Sequence, residues 1–312
     1  MKFGHLARTA LMGLAALAAL ASAQRTPPPV LNVLVQIGLV ADAGHPGAGD
    51  GCIHRVNVGT GAFMGNFGSG YLADTNSVDI QPSTGVAFVA DSAAIKRFDV
   101  KTGAYLGYLV LGSTLGGTID KIRFTSAGDL YAIVGQGYVS NSYRLFKLNP
   151  ATGAVLGSSI PMEGKGVPSM SLGFRPDGRV EVTNLYEGDT YIDSFTPNAK
   201  YTGYDYISGL WSVYRTSSDC AFRWTPTGFQ SCYGKVGDLS LSGQFLVNIG
   251  TDSPVLFAEG AAHHAYALSR EYPGQAYIYR FTATTTPALT GQYWADPFAA
   301  VNLVDMSIYI SP

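Results

Sequence analysis

Beyond residue 30, the chain is built mostly from short runs of β-branched and aromatic residues separated by polar turns. A short strand-like run, a turn rich in Pro, Asp and Gly, and a second apolar run recur at residues 78–91, 122–134 and 172–182. Such pairs are typical of antiparallel strands. The aromatic residues alternate with polar ones, as they do in half-buried strands. The pattern predicts an all-β protein.

A second phrase repeats with a fixed internal spacing, and copies of it follow the strand pairs 78–91 and 122–134. It carries Thr-Gly-Ala at the same offset and ends on a glycine at residues 53–65, 95–107 and 145–157. The final glycines, Gly65, Gly107 and Gly157, stand 42 and 50 residues apart. Weaker copies end at Gly203, 46 residues further on, and at Gly291, a further 88 residues on. A period of about 40–50 residues with several strands per unit is typical of a β-propeller.

The spacing predicts six four-stranded blades, with seven as the alternative. The fifth blade is expected near residues 207–236, and the sixth is expected to open at residue 239. The C-terminal segment 303–307 resembles the first strand of the second blade, residues 77–80. We expect it to pair with the N-terminal strand at residues 33–40, which would close the ring and cover an exposed edge.

These phrases resemble the blades of exported bacterial propellers of the NHL, YVTN and streptogramin-lyase-like group. The resemblance covers residues 31–310 and rests on Pro-x-Thr-Gly-x-x-Phe-Val-Ala-Asp followed by Ile-x-Arg-Phe-Asp-x-x-Thr-Gly-x-x-Leu-Gly. It implies a propeller fold. It does not imply one activity, because members of the group bind proteins or glycans, hydrolyse lactones, open cyclic peptides or act as scaffolds.

The N-terminus has the pattern of a cleaved signal peptide over residues 1–23. Lys2 and Arg8 precede the apolar run 10–20, and the cleavage motif Ala-Ser-Ala ends at Ala23. A Pro-rich lead-in, residues 24–30, would then precede a single propeller domain, residues 31–312. No later apolar run is long enough to cross a bilayer. We therefore expect a protein that is secreted, periplasmic or held at the cell surface.

Composition narrows the set of partners. Only 13% of the 312 residues are charged, and the net charge is −2. These values argue against nucleic-acid binding, which needs a basic surface. The chain contains 19 Tyr and 38 Gly. Exposed tyrosine is common where a protein binds another surface, which favours a protein or glycan partner at a propeller face.

Polar residues end the second strand of several predicted blades. They are Asp42, Asp91, Asn184 and Asn248, with Gly135 at the equivalent place in the third blade. Two carboxylates and two amides around one axis could hold a cation such as Ca²⁺, which prefers oxygen ligands. The alternative is that these residues only bond to their own turns. Lactonase-like propellers hold a metal with Glu, Asn and Asp, and this predicted ring has no Glu.

A second group of candidates is His263, His264 and Glu271. Streptogramin-lyase-like propellers use a His and a Glu for proton transfer, and His263 or His264 with Glu271 could form a similar general acid–base pair. The spacing does not match the motif of that group closely enough to assign the roles residue by residue. The alternative is a solvated histidine pair in a loop.

The chain has three cysteines, and export permits disulfides. Cys220 and Cys232 flank a predicted hairpin, and we expect a disulfide between them; two separate buried thiols are the alternative. Cys52 begins a repeat strand and is predicted as a buried apolar residue.

The sequence therefore favours an exported binding or scaffold module, for example in a cell-envelope assembly. The alternative is an enzyme at the channel mouth, lactonase-like or lyase-like and in one form dependent on a divalent metal.

Overall fold

The structure is a computed structural model that describes residues 36–44, 50–135, 142–160, 167–175, 177–186, 189–207, 212–215, 220–225, 228–233, 245–247, 256–259, 264–271, 275–282, 289–294 and 303–310. Side chains are described for most of residues 37–205 and for 304–309. The chain divides into residues 1–34 and 35–312, and every described residue belongs to the second unit. The predicted signal peptide and lead-in lie outside the described residues.

The regular secondary structure of the described residues is strands apart from one short helix, Gly112–Leu115, and the strands hydrogen-bond into four-stranded antiparallel sheets. The first sheet contains β1 (Gln36–Asp42), β2 (Cys52–Asn57), β3 (Phe63–Phe67) and the C-terminal strand β24 (Leu303–Ile310), in the order β24-β1-β2-β3. The second contains β4 (Thr75–Ile80), β5 (Val86–Asp91), β6 (Ala94–Asp99) and β7 (Tyr105–Leu111). The third contains β8 (Thr118–Phe124), β9 (Leu130–Gly135), β10 (Arg144–Leu148) and β11 (Val155–Ser158). The fourth contains β12 (Val167–Phe174), β13 (Val180–Tyr186), β14 (Asp189–Phe195) and β15 (Tyr201–Ile207).

Two further four-stranded sheets are described by their backbones. One contains β16 (Ser212–Arg215), β17 (Cys220–Thr225), β18 (Gly228–Tyr233) and β19 (Phe245–Val247). The other contains β20 (Leu256–Glu259), β21 (His264–Glu271), β22 (Gln275–Thr282) and β23 (Leu289–Trp294). Strands are called first to fourth in each sheet by hydrogen-bonded order, so β24, β4, β8 and β12 are first strands. Within the described residues, no helix has the length and apolarity needed to cross a membrane.

The repeated Thr-Gly-Ala phrase forms the turn between the third and fourth strands. In the second sheet, Asp99 Oδ1 accepts hydrogen bonds from the backbone N–H groups of Lys101 and Thr102, at 3.0 and 2.7 Å. Asn57 and Asn149 accept the equivalent pairs of bonds in the first and third sheets. Gly103 then takes a φ of 75°, which glycine adopts without strain. The repeat is thus a local turn chemistry that is reproduced in each sheet.

The core lies between successive sheets. One apolar cluster joins the first sheet to the second, a second joins the second to the third, and a third joins the third to the fourth. Along β5, Ala87 and Val89 pack towards the first sheet, whereas Phe88 and Ala90 pack towards the third. Successive strand residues face opposite sides of a sheet. The second strand is therefore a continuous apolar run because both of its faces are buried.

The first strands are neighbours of one another. β4 contacts β24 on one side and β8 on the other, β8 also contacts β12, and β24 also contacts β20. Sheets that pack face to face, with their first strands side by side, fit a β-propeller. The C-terminal strand β24 pairs with β1 from Gln36 opposite Ile310 to Asp42 opposite Leu303. One sheet therefore combines strands from both ends of the propeller region.

The strand boundaries correct the sequence prediction after residue 207. The sequence placed residues 245–247 in a sixth blade that opens at residue 239. The structure instead makes β19 the fourth strand of the fifth sheet, with Phe229 opposite Val247, and the next sheet begins at Leu256. A short apolar run does not distinguish a buried first or second strand from an outer strand, because outer strands of this chain also carry apolar residues.

Replacing Gly103 by Ala should destabilise the protein more than replacing Gly128 by Ala. Both glycines have positive φ angles, 75° and 89°. A Cβ at Gly103 would lie 2.6 Å from Phe67 Cβ in the preceding sheet, whereas a Cβ at Gly128 meets nothing within 4 Å. Both variants bear backbone strain of about 1–2 kcal/mol, and Gly103→Ala adds overpacking of about 1–3 kcal/mol. Urea unfolding followed by circular dichroism measures both. Equal shifts of the two midpoints would show that packing between the sheets does not require this glycine.

Candidate functional site

The second strands end, and the first strands begin, at the same end of each sheet. Thr75, the first residue of β4, is opposite Asp91, the last residue of β5. Thr118 and Gly135 are paired in the same way in the third sheet, and Leu303 and Asp42 are paired in the first. We call this the upper end of the sheets. Loops held by rigid strands at such an end are a common place for binding sites.

Asp91, one of the predicted ring residues, is buried and fully engaged with its own surroundings. Its Oδ1 accepts hydrogen bonds from the backbone N–H groups of Ala73 and Asp74, at 2.9 and 2.7 Å. Its Oδ2 pairs with the Lys96 ammonium group, which also donates to the Tyr71 carbonyl. This carboxylate therefore anchors the loop between β3 and β4 rather than its own turn, and the cation-binding ring stays a prediction.

The other ring residues also have local partners. Buried Asn184 donates a hydrogen bond from Nδ2 to Asp193 Oδ2 in the neighbouring strand, at 2.5 Å. Asp42 Oδ1 accepts a hydrogen bond from the Gly44 N–H at 2.9 Å, and its Oδ2 lies 3.2 Å from His54 Nε2. Asp91 thus bonds to a neighbouring loop and to Lys96, Asn184 bonds to Asp193, and Asp42 belongs to a separate cluster with His54.

The remaining candidate residues belong to the region of the last two sheets. Asn248 lies outside the described residues, and its predicted position, which Asp42 and Asp91 hold at the ends of second strands, stays a prediction. That position in the sixth sheet belongs to Glu271, the last residue of the second strand β21. His264 begins the same strand, about 23 Å away for seven residues of extended chain. The strand therefore separates His264 from Glu271, and His263 lies outside the described residues.

The two cysteines of the predicted disulfide lie in one hairpin but are not opposite each other. Cys220 pairs with Tyr233, and Cys232 pairs with Ala221. The disulfide stays a prediction from the sequence.

A buried polar network connects the first strands of three sheets. Arg123 of β8 forms a two-pronged ion pair with Asp305 of β24, with Nη1 2.7 Å from Oδ2. Lys121 Nζ lies 3.1 Å from Asp305 Oδ1. Between them, β4 contributes the Ser77 hydroxyl and the Val78 N–H to the same carboxylate. All the charged groups are at least nine-tenths buried.

Within the buried network, the pKa values of Asp305 and Lys121 are lowered and that of Asp79 is raised. Burial alone would raise the pKa of Asp305, but the Arg123 and Lys121 charges and the hydrogen bonds outweigh it and lower that pKa to about 2. Burial lowers the pKa of Lys121, and its attraction to Asp305 does not offset that effect. Arg123, with its planar fork, is therefore the main partner of Asp305. Burial raises the pKa of Asp79, which accepts hydrogen bonds from the Ser307 hydroxyl and the Phe124 N–H.

A second polar group lies at the upper end, where β4 and β8 begin. Ser92 donates a hydrogen bond to Asp74 Oδ2 at 2.6 Å, and Asn76 Nδ2 donates to the Ser92 hydroxyl and to the Ile119 carbonyl, both at 3.0 Å. Ser92 has a φ of 27°, a strained value for a residue with a side chain. Burial raises the pKa of nearby Asp120 to about 6; a Tyr143 hydrogen bond opposes this shift and the Asp74 charge adds to it. Asp120 can thus exchange a proton near neutral pH.

A third cluster, of Asp42, Cys52 and His54, lies on the first sheet. Asp42 and Cys52 are directly opposite, and His54 is two residues further along β2, so all three share one face. Each is more than nine-tenths buried. Cys52 Sγ lies 3.7 Å from the same His54 Nε2 that Asp42 approaches. Burial, together with the Asp42 charge, raises the pKa of the Cys52 thiol to about 11. These are the described residues that could hold a metal ion.

Sequence reasoning named Asp42 but missed its partners and the other two groups. Cys52 was expected to be an apolar residue, His54 and Arg123 were read only as parts of repeat strands, and Asp120 was not singled out. For His54 the available signal is that its position differs between the copies of the repeat. The position of His54 is Lys96 in the second copy and Phe146 in the third.

No family model matches the chain, and no curated protein matches it. Solved structures do match its fold. A protein of unknown function from Bacteroides caccae aligns at 13% identity and a TM-score of 0.60, covering 88% of this chain and 99% of that one. A chain of a nidogen/laminin complex aligns at 12% identity and a TM-score of 0.60, covering 88% and 98%. A candidate 6-phosphogluconolactonase from Bacteroides fragilis aligns at 16% identity and a TM-score of 0.55, covering 88% and 86%. At these identities the likeness shows the fold alone, and it agrees with a β-propeller.

Replacing Asp305 by Asn should destabilise the protein strongly, because it leaves two buried cations without their anion. Removal of one partner from a buried pair costs about 3–5 kcal/mol. Asp305 has a lowered pKa, so its contribution is present above about pH 4 and is lost as the pH falls through about 2. Urea unfolding at pH 7 and at pH 3 measures both effects.

The matched control for this variant is Asp177→Asn. Asp177 pairs with Arg179 at the surface, where both side chains are more than two-fifths exposed, so its loss should cost about 0.2–1 kcal/mol. Equal losses in the two variants would contradict a structural role for the buried network.

Proposed function

We propose that the chain is an exported, closed six-bladed β-propeller that acts as a binding or scaffold module at the cell envelope. The blade count is supported by the six four-stranded sheets formed by the described strands. Ring closure is supported by the pairing of β24 with β1 and by the contacts between neighbouring first strands. Export rests on the sequence pattern of residues 1–23.

One observation carries the binding role. The residue before the final glycine of the repeat is apolar and exposed in three successive sheets: Met64 is 39% exposed, Leu106 45% and Leu156 56%. Each lies on a fourth strand, at the outer edge of its sheet. Tyr108 and Tyr204, which follow the repeat glycine, are also exposed. We call the residues Met64, Leu106, Tyr108, Leu156 and Tyr204 the outer apolar band. Apolar side chains that recur at one height on an edge are typical of a contact surface.

The triple variant Met64→Lys, Leu106→Lys, Leu156→Lys tests this role. We expect the wild type, expressed with its leader in its own source organism, to be retained in the envelope fraction, and we expect the variant to be released. Three charges on the band oppose burial against a partner. Immunoblots of cytoplasm, envelope and medium give the distribution.

A control variant carries the same added charge elsewhere. Ser83, Ser126 and Ala151 are exposed turn residues outside the band, and their replacement by Lys should leave retention unchanged. Melting temperatures of the purified proteins show that both triple variants fold. Recovery of the wild type from the cytoplasm, or equal retention of the two variants, would contradict the proposal.

A second candidate function is an enzyme at the upper end, with Asp120 as the general acid or base. It is supported by the raised pKa of Asp120, by the adjacent Asp74 and by the strained Ser92. The likeness to a candidate 6-phosphogluconolactonase suggests the substrate class to test.

If Asp120 acts as a base, hydrolysis of 6-phosphogluconolactone should rise with pH through about 6, because the carboxylate form is the active one. Asp120→Asn should abolish this rise, whereas the surface variant Asp177→Asn should keep it. Acid release measured at constant pH follows the reaction. A wild-type rate equal to the rate in buffer would exclude this substrate, and with it the proposed lactone hydrolysis by Asp120.

A further inference from the structure

The Asp42, Cys52 and His54 side chains converge on one point instead of forming a relay. In a nucleophile–histidine–acid relay, the nucleophile and the acid contact different ring nitrogens. Here Asp42 Oδ2 and Cys52 Sγ both approach His54 Nε2, at 3.2 and 3.7 Å. All three donor atoms lie within 4.8 Å of one another. Three donor atoms of metal-binding types at this spacing make a candidate metal site.

Two of the three donor separations fit tetrahedral coordination. Zinc bonds to nitrogen and oxygen at about 2.0–2.1 Å and to sulfur at about 2.3 Å, which puts tetrahedral ligand atoms about 3.3–3.5 Å apart. The observed separations of 3.2 and 3.7 Å lie close to these edges. We propose that Asp42, Cys52 and His54 form a zinc site with one coordination position left for water or a ligand.

The position is fixed by the strands rather than by loops. Asp42 and Cys52 are paired across β1 and β2, and His54 lies on the same face one pleat further on. The second oxygen of Asp42 is held by the Gly44 N–H. Such second bonds orient a ligand and are a regular feature of metal sites. The opposite face of these strands, with Ala41 and Ile53, packs in the core shared with the second sheet.

The equivalent place in the second sheet already holds a positive charge. Asp91 corresponds to Asp42 as the last residue of a second strand, and Lys96 corresponds to His54 in the repeat. The Lys96 ammonium group there lies against the Asp91 carboxylate. In the first sheet a metal ion would supply the same charge between Asp42 and His54.

The donor set selects zinc over the calcium predicted for the ring. Calcium requires six to eight oxygen ligands, whereas a thiolate, an imidazole and a carboxylate suit zinc. Asp91 and Asn184 bond to other partners, so they are not required for this site. Zinc binding would release the Cys52 proton to solvent, since the thiolate is the ligand. The site is independent of the proposed binding role.

Metal titration of the full mature chain tests the proposal. Chelator-treated protein is given ZnCl₂ alone, and we expect one zinc per chain by elemental analysis and a rise in melting temperature. Cobalt in place of zinc should give a sulfur-to-cobalt charge-transfer band and the intense visible bands of tetrahedral coordination. Cys52→Ser should remove the charge-transfer band and weaken zinc binding by more than about a hundredfold, which exceeds the loss typical of an outer-shell change.

Two further variants separate this site from other thiols and from misfolding. The double variant Cys220→Ser, Cys232→Ser should keep the charge-transfer band and the zinc stoichiometry. His54→Gln should lose zinc affinity while keeping the circular dichroism spectrum of the wild type. No zinc uptake by the wild type, or an unchanged affinity in Cys52→Ser, would overturn the proposal. Loss of the band only in the double variant would assign the metal to those cysteines and would overturn it equally.

Discussion

The ion pair between Arg123 and Asp305 is the interaction on which the arrangement of the first three sheets depends. It joins residues 182 positions apart, and the sheet between them contributes Ser77 and Val78 to the same carboxylate. Hydrophobic packing has no preferred direction, whereas a buried charge is tolerated only with its partners in place. The network therefore sets the mutual position of three first strands, which apolar contacts alone would leave less defined.

The apolar packing around that network follows from a simple constraint. Every sheet between two others is buried on both faces, so Phe88 and Val89 can both be apolar although they point in opposite directions. Polar and charged residues then lie at the strand ends, in the turns and along the first and third strands. The sequence repeats in its packing residues and in the turns between third and fourth strands, and it varies at the upper ends.

The repeat made the fold predictable from the sequence. The candidate site was less predictable, because it lies where the repeat is weak or interrupted. Asn57, Asp99 and Asn149 form their turns from local hydrogen bonds alone, so the sequence predicts them. Residues 245–247 were assigned to a sixth blade by counting periods through a region where the repeat is weak, so the sequence did not place Glu271 at the end of a second strand. The partnership of Arg123 with Asp305 depends on which sheets become neighbours, and no local pattern encodes it.

Comparison of equivalent positions shows how one scaffold gives different chemistry in each sheet. Next to the end of the second strand, the first sheet has Asp42 with His54, and the second has Asp91 with Lys96. In the third sheet the corresponding residues are Gly135 and Phe146, which carry no charge. The register of the second and third strands is the same in the first two sheets, where His54 and Lys96 lie opposite the residues two positions before Asp42 and Asp91. In the third sheet Phe146 lies opposite Ala132, three positions before Gly135. Function in such a chain is therefore carried by the positions at which the copies differ, and a pattern averaged over the copies removes those positions from view.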